Sequence, residues 1–191
     1  MIGTENDSTR RRRLLRTLGV LTALVILTLA AAIVGITSFE ALQSREQTVL
    51  DAWDEVRNVH DERLVLVARL AESDSLEPAL GAALDRLRLR QRDFDAAPDF
   101  EAEVGAQAQV DGVFALVADL VERLPGTVPA PGRAVWRRQL GELNQAAAVA
   151  RRLYNEAVDK YEENRHRLPH RWFARLFGYG PLPRYVPPDE D

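Results

Sequence analysis

The hydrophobic positions of this chain form one continuous apolar run followed by a series of amphipathic stripes. The run begins at Leu18, passes through Val25 and ends at Phe39. A helix needs about 20 apolar residues to cross a bilayer, and a single span must satisfy its own backbone hydrogen bonds as a helix. The pattern therefore predicts a transmembrane helix over residues 18–39.

Basic residues precede this run and predict its orientation. Residues 1–17 form a short segment that contains Arg10, Arg11, Arg12, Arg13 and Arg16. Arginine clusters beside a span remain on the cytoplasmic side. We therefore expect a single-pass protein of the cell membrane, with a cytoplasmic N-terminus and the bulk of the chain outside the cytoplasm.

A cleaved signal peptide is the alternative interpretation of the same segment. The three alanines at residues 30–32 resemble a processing site. Cleavage there would leave Ile33, Val34 and Ile36 at the new N-terminus, and the run is longer than a usual signal-peptide core. These features favour a retained anchor.

Beyond the anchor, apolar residues recur at spacings of three and four in four successive stripes. The stripes begin and end at Val49 and Leu70, Leu76 and Phe94, Phe100 and Leu124, and Trp136 and Tyr161. This spacing is typical of amphipathic helices with one buried face, and no long period-two alternation indicates a sheet. We predict an all-α domain over residues 40–168, an antiparallel bundle of roughly four helices with a long first and last helix.

Turn-forming residues mark the boundaries between these helices. Asp74 is expected to cap the second helix, and Pro98 to occupy the first position of the third. The Pro- and Gly-rich residues 125–132 form the strongest break, and the fourth helix is predicted over residues 133–168, where Pro169 ends it. In an up-down bundle the fourth helix returns toward the membrane, which would place residues 169–191 beside the bilayer.

This tail combines aromatic and basic side chains, and the acidic C-terminus that follows is expected to be disordered. Trp172, Phe173, Leu176 and Phe177 are predicted to share one face of a short helix, beside arginines. Such residues are favoured at a bilayer interface, so Trp172, Phe173 and Phe177 are candidate membrane contacts. Alternatively, the rings cap the open end of the bundle.

Composition and charge restrict the possible functions. The chain has a formal net charge of −4 and no cysteine. An acidic domain argues against electrostatic binding of nucleic acid, and the lack of cysteine excludes disulfides and thiol chemistry. No nucleic acid partner is expected, and the apolar run predicts the lipid bilayer as a partner.

The sequence contains little that indicates catalysis or cofactor binding. His166 and His170 have the i,i+4 spacing of two metal ligands on a helix, but Pro169 interrupts that helix and Glu162 or Glu163 would have to complete the site. We expect solvated histidines, no metal and no cofactor. No nucleophile–base arrangement or phosphate loop is recognisable, so an enzyme is not expected.

The fourth stripe contains the residues that a functional interpretation would favour. Tyr154 and Tyr161 are seven residues apart, which is the spacing of core positions in a bundle. We expect both rings in the core with their hydroxyls at its rim, and Asn155 in an interhelical hydrogen bond that fixes register. A functional role for these three side chains is the alternative.

The same stretch resembles the LemA family of membrane-anchored helical proteins. The resemblance rests on an Ala-Trp pair that includes Trp53, and on residues spaced as in the family's C-terminal motifs: Arg151, Tyr154, Asn155, Tyr161, Pro169, Phe177 and Gly178. Departures include Glu162, where the family pattern has asparagine, and a missing Ile-Pro-Asn in residues 62–70. The chain is similar to a divergent member.

The resemblance implies an antiparallel helical bundle outside the cytoplasm, without an established catalytic activity, in proteins linked to envelope or membrane organisation. We expect a non-enzymatic interaction or scaffold module that binds an envelope protein or another copy of itself. The alternative is an extracytoplasmic ligand-sensing domain. Sensing requires a cytoplasmic output domain, and the first 16 residues are too few to fold as one.

Overall fold

The computed structural model of this protein describes residues 5–71, 77–123 and 130–187, and its side chains over 16–69, 77–123 and 134–187. Over these residues the protein is entirely helical apart from connections and a C-terminal segment, which confirms the all-α prediction. Its elements are α1 (Glu5–Ala71), α2 (Pro78–Asp95), α3 (Phe100–Arg123), α4 (Ala130–His166) and α5 (His170–Phe177).

Helix α1 is continuous through the apolar run and beyond it. Leu18 and Val25 are more than half exposed and Phe39 about a third, so the run has no protein covering it along most of its length. Two described helices are long and apolar enough to cross a membrane, α1 with none of its apolar window buried and α3 with 39% of its window buried. Because α3 contributes to a protein core, α1 is the better candidate for the span.

The chain separates into two compact units. The first unit combines Met1–Ser44 with Asn164–Tyr179, and the second combines Arg45–Glu163 with Gly180–Asp191. Helices α1 and α4 each contribute to both units, whereas α2 and α3 lie wholly in the second.

The second unit is an antiparallel four-helix bundle, as the register of its contacts shows. The pairs that join α1 to α3 run in the same direction: Arg57 with Glu103, and Arg63 with Asp111. The pairs that join α3 to α4 run in opposite directions: Glu122 with Arg137, and Asp111 with Arg151. The predicted up-down arrangement is confirmed.

Apolar side chains from all four helices form the core of this bundle. Trp53, Phe114, Tyr154 and Tyr161 are almost fully buried, and the Trp53 ring lies 5.0 Å from the ring of Tyr154 between centroids. Burying an aromatic side chain of this size removes on the order of 150–250 Å² from water, so these rings contribute much of the stabilisation. Tyr154 and Tyr161 are core positions, as their seven-residue spacing predicts.

Two predicted helix boundaries differ from the structure. Glu77, not Asp74, precedes the first residue of α2, and it makes no capping hydrogen bond through its side chain; Asp74 lies outside the described residues. Pro98 lies before α3 instead of at its first position, because Asp99 provides the cap by accepting a hydrogen bond from the Ala102 amide at 2.8 Å. A capping carboxylate satisfies an amide that the helix cannot, which fixes the start of α3 one residue after Asp99.

The fourth helix and the tail also differ from prediction. Helix α4 ends at His166 instead of residue 168, and Pro169 precedes the separate helix α5 after a cis Leu168–Pro169 peptide bond. Gly178 ends α5 in the left-handed conformation, with φ of 79°, so that the Tyr179 amide donates to the Ala174 carbonyl at 2.9 Å. Glycine adopts this conformation without steric cost, which explains its place in the predicted motif.

The predicted tail of residues 169–191 divides between the two units. Helix α5 belongs to the first unit, whereas residues 180–187 belong to the second. We call residues 180–187 the C-terminal strap; they form neither helix nor strand. The predicted disordered acidic terminus, residues 188–191, lies outside the described residues.

Candidate functional site

The most specific polar site of the second unit is the surface of α4 that holds the C-terminal strap. The strap runs antiparallel to α4, because Gly180 meets Tyr161 near the end of the helix and Tyr185 meets Asn155 further back. Side chains of α4 make most of these contacts, and they bind backbone atoms of the strap. The arrangement is that of a groove binding a peptide.

The side chain of Asn155 forms two hydrogen bonds with the backbone of the strap. Its Nδ2 donates to the Tyr185 carbonyl at 2.9 Å, and its Oδ1 accepts from the Tyr185 amide at 2.9 Å. The prediction of an interhelical hydrogen bond for Asn155 is therefore wrong. An amide side chain carries one acceptor and two donors, so it can satisfy both backbone groups of a residue that belongs to no helix or strand.

The two core tyrosines direct their hydroxyls to the same strap. Tyr154 Oη donates to the Pro183 carbonyl at 2.5 Å, and Tyr161 Oη donates to the Gly180 carbonyl at 2.7 Å. Burial is the main cause that raises the pKa of Tyr154, so its hydroxyl remains a donor at any physiological pH. Glu162 accepts a hydrogen bond from the Leu182 amide at 3.2 Å, at the position where the family pattern has asparagine.

Tyr185 anchors the strap through its side chain. The residue is 3% exposed, and its hydroxyl donates to Asp111 Oδ2 at 2.5 Å. Arg151 donates to the same carboxylate oxygen at 2.7 Å and to the Tyr185 hydroxyl at 3.3 Å. The Asp111 Oδ1 atom forms an ion pair with Arg63 of α1. One carboxylate thus joins three helices and the strap.

Electrostatics hold this cluster in one protonation state. Burial alone would raise the pKa of Asp111, but Arg63, the Tyr185 hydroxyl and Arg151 outweigh it and keep that pKa below its ordinary value. The side chains of Arg63 and Asp111 are only 6% and 5% exposed. Two guanidinium groups on one carboxylate leave one net positive charge, and Arg63 also stacks on the Phe114 ring at 4.3 Å.

A chain of neutral groups continues from Asp111 across the bundle. Gln107 Nε2 lies 3.4 Å from Asp111 Oδ1 and 3.2 Å from His60 Nδ1, and His60 Nε2 lies 2.6 Å from Gln91 Oε1. The glutamine oxygen accepts from Nε2, so Nδ1 is the unprotonated nitrogen of a neutral ring. Burial lowers the pKa of His60, against the hydrogen bond to Gln91, which raises it.

An open cleft of about 760 Å³ borders the strap on the α3 and α4 side. The basic residues that line it are Arg63, Arg151, Arg152 and Arg184, and the acidic residues are Asp111, Glu156 and Asp159. Most of these charges are paired within the cleft: Arg152 with Glu156 at 3.6 Å, and Arg184 of the strap with Asp159 of α4. The strap thus forms one wall of the cleft, and its Arg184 neutralises an acidic residue of α4.

Helix α5 packs against α1 within the first unit. The Phe177 ring lies 5.2 Å from the Phe39 ring between centroids, in an edge-to-face contact, and stacks on Phe173. A Cβ atom at Gly35 would lie 3.2 Å from Phe173 Cε1, so glycine allows this close approach. Phe39 of the predicted span is therefore also a docking residue for α5.

The prediction that Trp172, Phe173, Leu176 and Phe177 share one face of α5 is wrong. Phe173 and Phe177 face α1, whereas Trp172 is 72% exposed and Leu176 and Leu168 are equally exposed. Spacing of four places these three exposed residues on one side of the short helix and its entry. Of the three candidate membrane contacts, Trp172 is exposed, Phe177 is 46% exposed beside Phe39, and Phe173 packs against Gly35.

The remaining predicted residues have structural contacts or lie outside the described side chains. Trp53 Nε1 donates to Glu103 Oε1 at 2.8 Å, and its ring meets Phe100 edge to face. Arg16 is exposed, and the side chains of Arg10, Arg11, Arg12 and Arg13 are outside the described set. His166 ends α4 while His170 begins α5, and the described residues contain no group of three potential metal ligands.

Sequence reasoning missed Asp111, Arg63 and Tyr185, which centre the site. A signal for the first two was present: Arg63 continues the α1 stripe of Val49, Trp53, Val56 and His60. Gln107 and Asp111 likewise continue the stripe of Val104 and Phe114 on α3. A polar residue at a core-facing position of a stripe predicts a buried, partnered group.

Comparison with known proteins connects these residues to a family. Residues 36–191 match the model of the LemA family, so the match includes α5, the strap and the whole described bundle. No curated protein matches the chain.

Proposed function

We propose that this chain, which belongs to the LemA family, is a single-pass membrane protein whose helical bundle is a non-catalytic interaction module outside the cytoplasm. The family is not known as an enzyme family. The observation that carries the proposal is that one helix, α1, contains the apolar run and then continues as the first helix of the bundle.

Membrane attachment is the first part of the proposal. The apolar window of α1 is unburied, and about 20 such residues suffice to span a bilayer. Exposing this much apolar surface to water would be strongly unfavourable, since burial contributes on the order of 25 cal/mol per Å². The exposed Trp172 and Leu176 of α5 add an aromatic and an aliphatic group suited to the bilayer interface.

The absence of cysteine allows a direct test of topology. Single-cysteine chains with Ser8→Cys or Arg152→Cys would be treated with a membrane-impermeant maleimide in intact cells. We expect the chain in the alkali-resistant membrane fraction, with labelling at residue 152 and protection at residue 8. Labelling at residue 8 alone would reverse the orientation, and release by alkali would contradict the anchor.

Binding to another protein is the second part, and an apolar surface of α1 and α4 supports it. Val65, Val149 and Leu153 are 55%, 42% and 47% exposed, and they line shallow grooves beside further apolar residues of α4. The charged side chains that line the same grooves are Glu55, Asp61, Glu62 and Glu142, together with one basic residue, Arg69. An apolar surface whose rim is mainly acidic fits a partner with an apolar patch and a basic rim.

Photocrosslinking in cells tests this surface. A photoreactive amino acid at Leu153 should capture one protein reproducibly, and the substitution Val149→Glu should abolish this crosslink. The same group at Leu89, which is 54% exposed on α2, is the matched control and should not capture that protein. If Leu153 yields only lipid adducts, the chain does not act as an adaptor through this surface.

Ligand sensing is the alternative function, and the charged cleft beside the strap is the surface that would have to bind the ligand. Small-molecule sites are mostly apolar with a few polar groups that converge on the ligand. This cleft instead contains an ion pair within α4, Arg152 with Glu156, and a pair between Arg184 of the strap and Asp159 of α4. Its chemistry suits recognition of a polypeptide segment better than burial of a small molecule.

A further inference from the structure

We propose that the α4 surface beneath the strap is a peptide-binding site that exchanges its occupant, so that the strap of a second copy of this chain can replace the chain's own. The inference deepens the proposed interaction module, on which it rests, by naming a site and a partner. The ligand is a non-helical segment of the form Pro-Arg-Tyr, as in residues 183–185.

The contacts divide clearly into a receptor side and a ligand side. The receptor side consists of side chains, among them Tyr154, Asn155 and Tyr161, that bind three carbonyls and an amide of the strap. The ligand side is mostly backbone. No helix or strand ladder extends from the bundle into the strap, so a strap from another chain can make every one of these contacts.

Two side chains of the strap give the site its specificity. Tyr185 is buried against Arg151, whose guanidinium lies 5.3 Å from the ring centre, and its hydroxyl satisfies Asp111. Arg184 pairs with Asp159 at the surface, where both side chains are more than half exposed. A segment without the tyrosine would leave Asp111 with one donor fewer in a buried site, which is costly.

The connection to the strap allows it to leave without unfolding a helix. Gly178 ends α5, and the division between the two compact units falls between Tyr179 and Gly180. Pro181, Pro183 and Pro187 restrict the released strap, so little conformational entropy is lost when it binds again.

A second copy is the partner whose chemistry necessarily fits. Its strap has the same sequence, and exchange of identical elements requires no new interface. The chain's own strap competes at an effective concentration in the mM range for a short linker. Confinement of many copies to one membrane raises the concentration of competing straps, so exchange depends on surface density.

Site-specific crosslinking between two tagged forms of the full chain tests the exchange. One form carries Val186→Cys on the strap, where the residue is 46% exposed, and the other carries Arg152→Cys, which lines the same cleft. Both are co-expressed in membranes and treated with a short bis-maleimide. A chain with both cysteines verifies that the reagent spans the two positions.

A charge exchange makes the test specific for the site. Arg184→Asp in the strap-cysteine form and Asp159→Arg in the groove-cysteine form create like-charge contacts within each chain and opposite-charge contacts between chains. We expect a heteroadduct between the unmodified forms and a rise of about two- to fivefold with the charge-exchanged pair, consistent with surface ion pairs. Because both residues are at the surface, the variants preserve the core.

Two further variants and one control complete the design. Tyr185→Ala in the strap-cysteine form, or Asn155→Ala in the groove-cysteine form, should abolish the heteroadduct, whereas Leu89→Ala on α2 should leave it unchanged. A heteroadduct whose yield is unchanged by all these substitutions reflects random collision of the chains. Crosslinks that form only in the chain with both cysteines show that the strap stays permanently on its own chain. Either result overturns the proposed exchange. The proposed function is tested independently, by alkali extraction of the membrane and by photocrosslinking at Leu153.

Discussion

Asn155 and Tyr185 are joined by two hydrogen bonds of 2.9 Å, in which one side-chain amide binds both the amide and the carbonyl of the same backbone residue. The pair lies 30 positions apart in sequence, and it fixes the register of the strap on α4. Shifting the strap by one residue would leave these groups without their partners. The motif asparagine therefore holds the C-terminal segment in place rather than a neighbouring helix.

Replacing Asn155 by alanine should destabilise the second unit. It leaves two partly buried backbone groups of Tyr185 without partners, at a cost of about 1–3 kcal/mol. Urea unfolding of the detergent-solubilised chain, followed by circular dichroism, measures the change. Gln145→Ala, at an exposed position of the same helix, should change the free energy of unfolding by less than about 0.5 kcal/mol. Equal effects of the two substitutions would contradict the role of Asn155.

Asp111→Asn should be more damaging than any surface substitution on α3. The amide cannot neutralise Arg63 and Arg151, and breaking a buried ion pair costs about 3–5 kcal/mol. The free energy of unfolding is again the quantity to measure. Asp119→Asn, which removes an exposed pair with Arg123 on the same helix, is the control and should cost at most about 1 kcal/mol. A small effect at Asp111 would mean that the cluster contributes no net stability.

Acidification should destabilise the bundle through His60. Its pKa in the folded protein lies below the ordinary 6.5 because the ring is buried. The unfolded chain therefore binds the proton more readily, and stability falls as the pH drops below about 6.5 toward the lowered pKa. The groups facing the ring, Gln91, Gln107, Asp111 and Arg63, lie on three different helices.

Comparison of unfolding free energies at pH 7.5 and pH 5.5 tests this linkage. The wild-type chain should lose stability between the two values, and His60→Gln should lose less, whereas Gln145→Ala at an exposed position of α4 should show the wild-type dependence. Asp111 affects stability only at lower pH, because its pKa in the folded protein lies below the ordinary value of 3.8. Its contribution to stability is therefore fully present above pH 3.8 and is lost as the pH falls through the lowered pKa. An unchanged pH dependence in the His60 variant would refute the assignment.

A larger side chain at Gly35 should displace α5 from α1. The Cβ atom alone would lie 3.2 Å from Phe173 Cε1, so leucine at this position cannot fit beside the ring. We expect faster amide hydrogen exchange in residues 170–177 of Gly35→Leu, measured by mass spectrometry on the full chain. Gly19→Leu is the matched control, since nothing lies within 4 Å of a Cβ atom there. Unchanged protection of α5 would show that its docking does not depend on Phe173.

The exposed side of α5 should lie at the bilayer interface. A bimane fluorophore on Leu176→Cys in the reconstituted full chain should be quenched by lipids that carry a spin label near the headgroup, because Leu176 and Trp172 are both 72% exposed. The same fluorophore on Arg152→Cys should be quenched far less. In addition, Trp172→Ser should reduce quenching at residue 176. Equal quenching at residues 152 and 176 would contradict an interfacial role for α5.

The local pattern of the chain contained most of the architecture. Spacings of three and four located the four bundle helices, and the apolar run located a candidate span, because these periodicities follow directly from helix geometry. The seven-residue spacing of Tyr154 and Tyr161 correctly placed both rings in the core. Helix ends were less accurate: α2 begins after Glu77, which makes no capping hydrogen bond through its side chain, and α3 begins after Asp99 instead of at Pro98.

The pairing of the polar groups depends on the tertiary structure. His60, Arg63, Gln107 and Asp111 occupy core-facing positions of their stripes, so the pattern contained a signal for a buried polar layer that the sequence analysis did not use. It could not determine that Asp111 would bind Arg63, Arg151 and Tyr185, the last of which lies 74 positions away. Such pairings depend on helix register and on the path of a segment without periodicity. The strap has no periodic pattern to read, and only its docking on α4 reveals Asn155, Tyr154 and Tyr161 as its receptor.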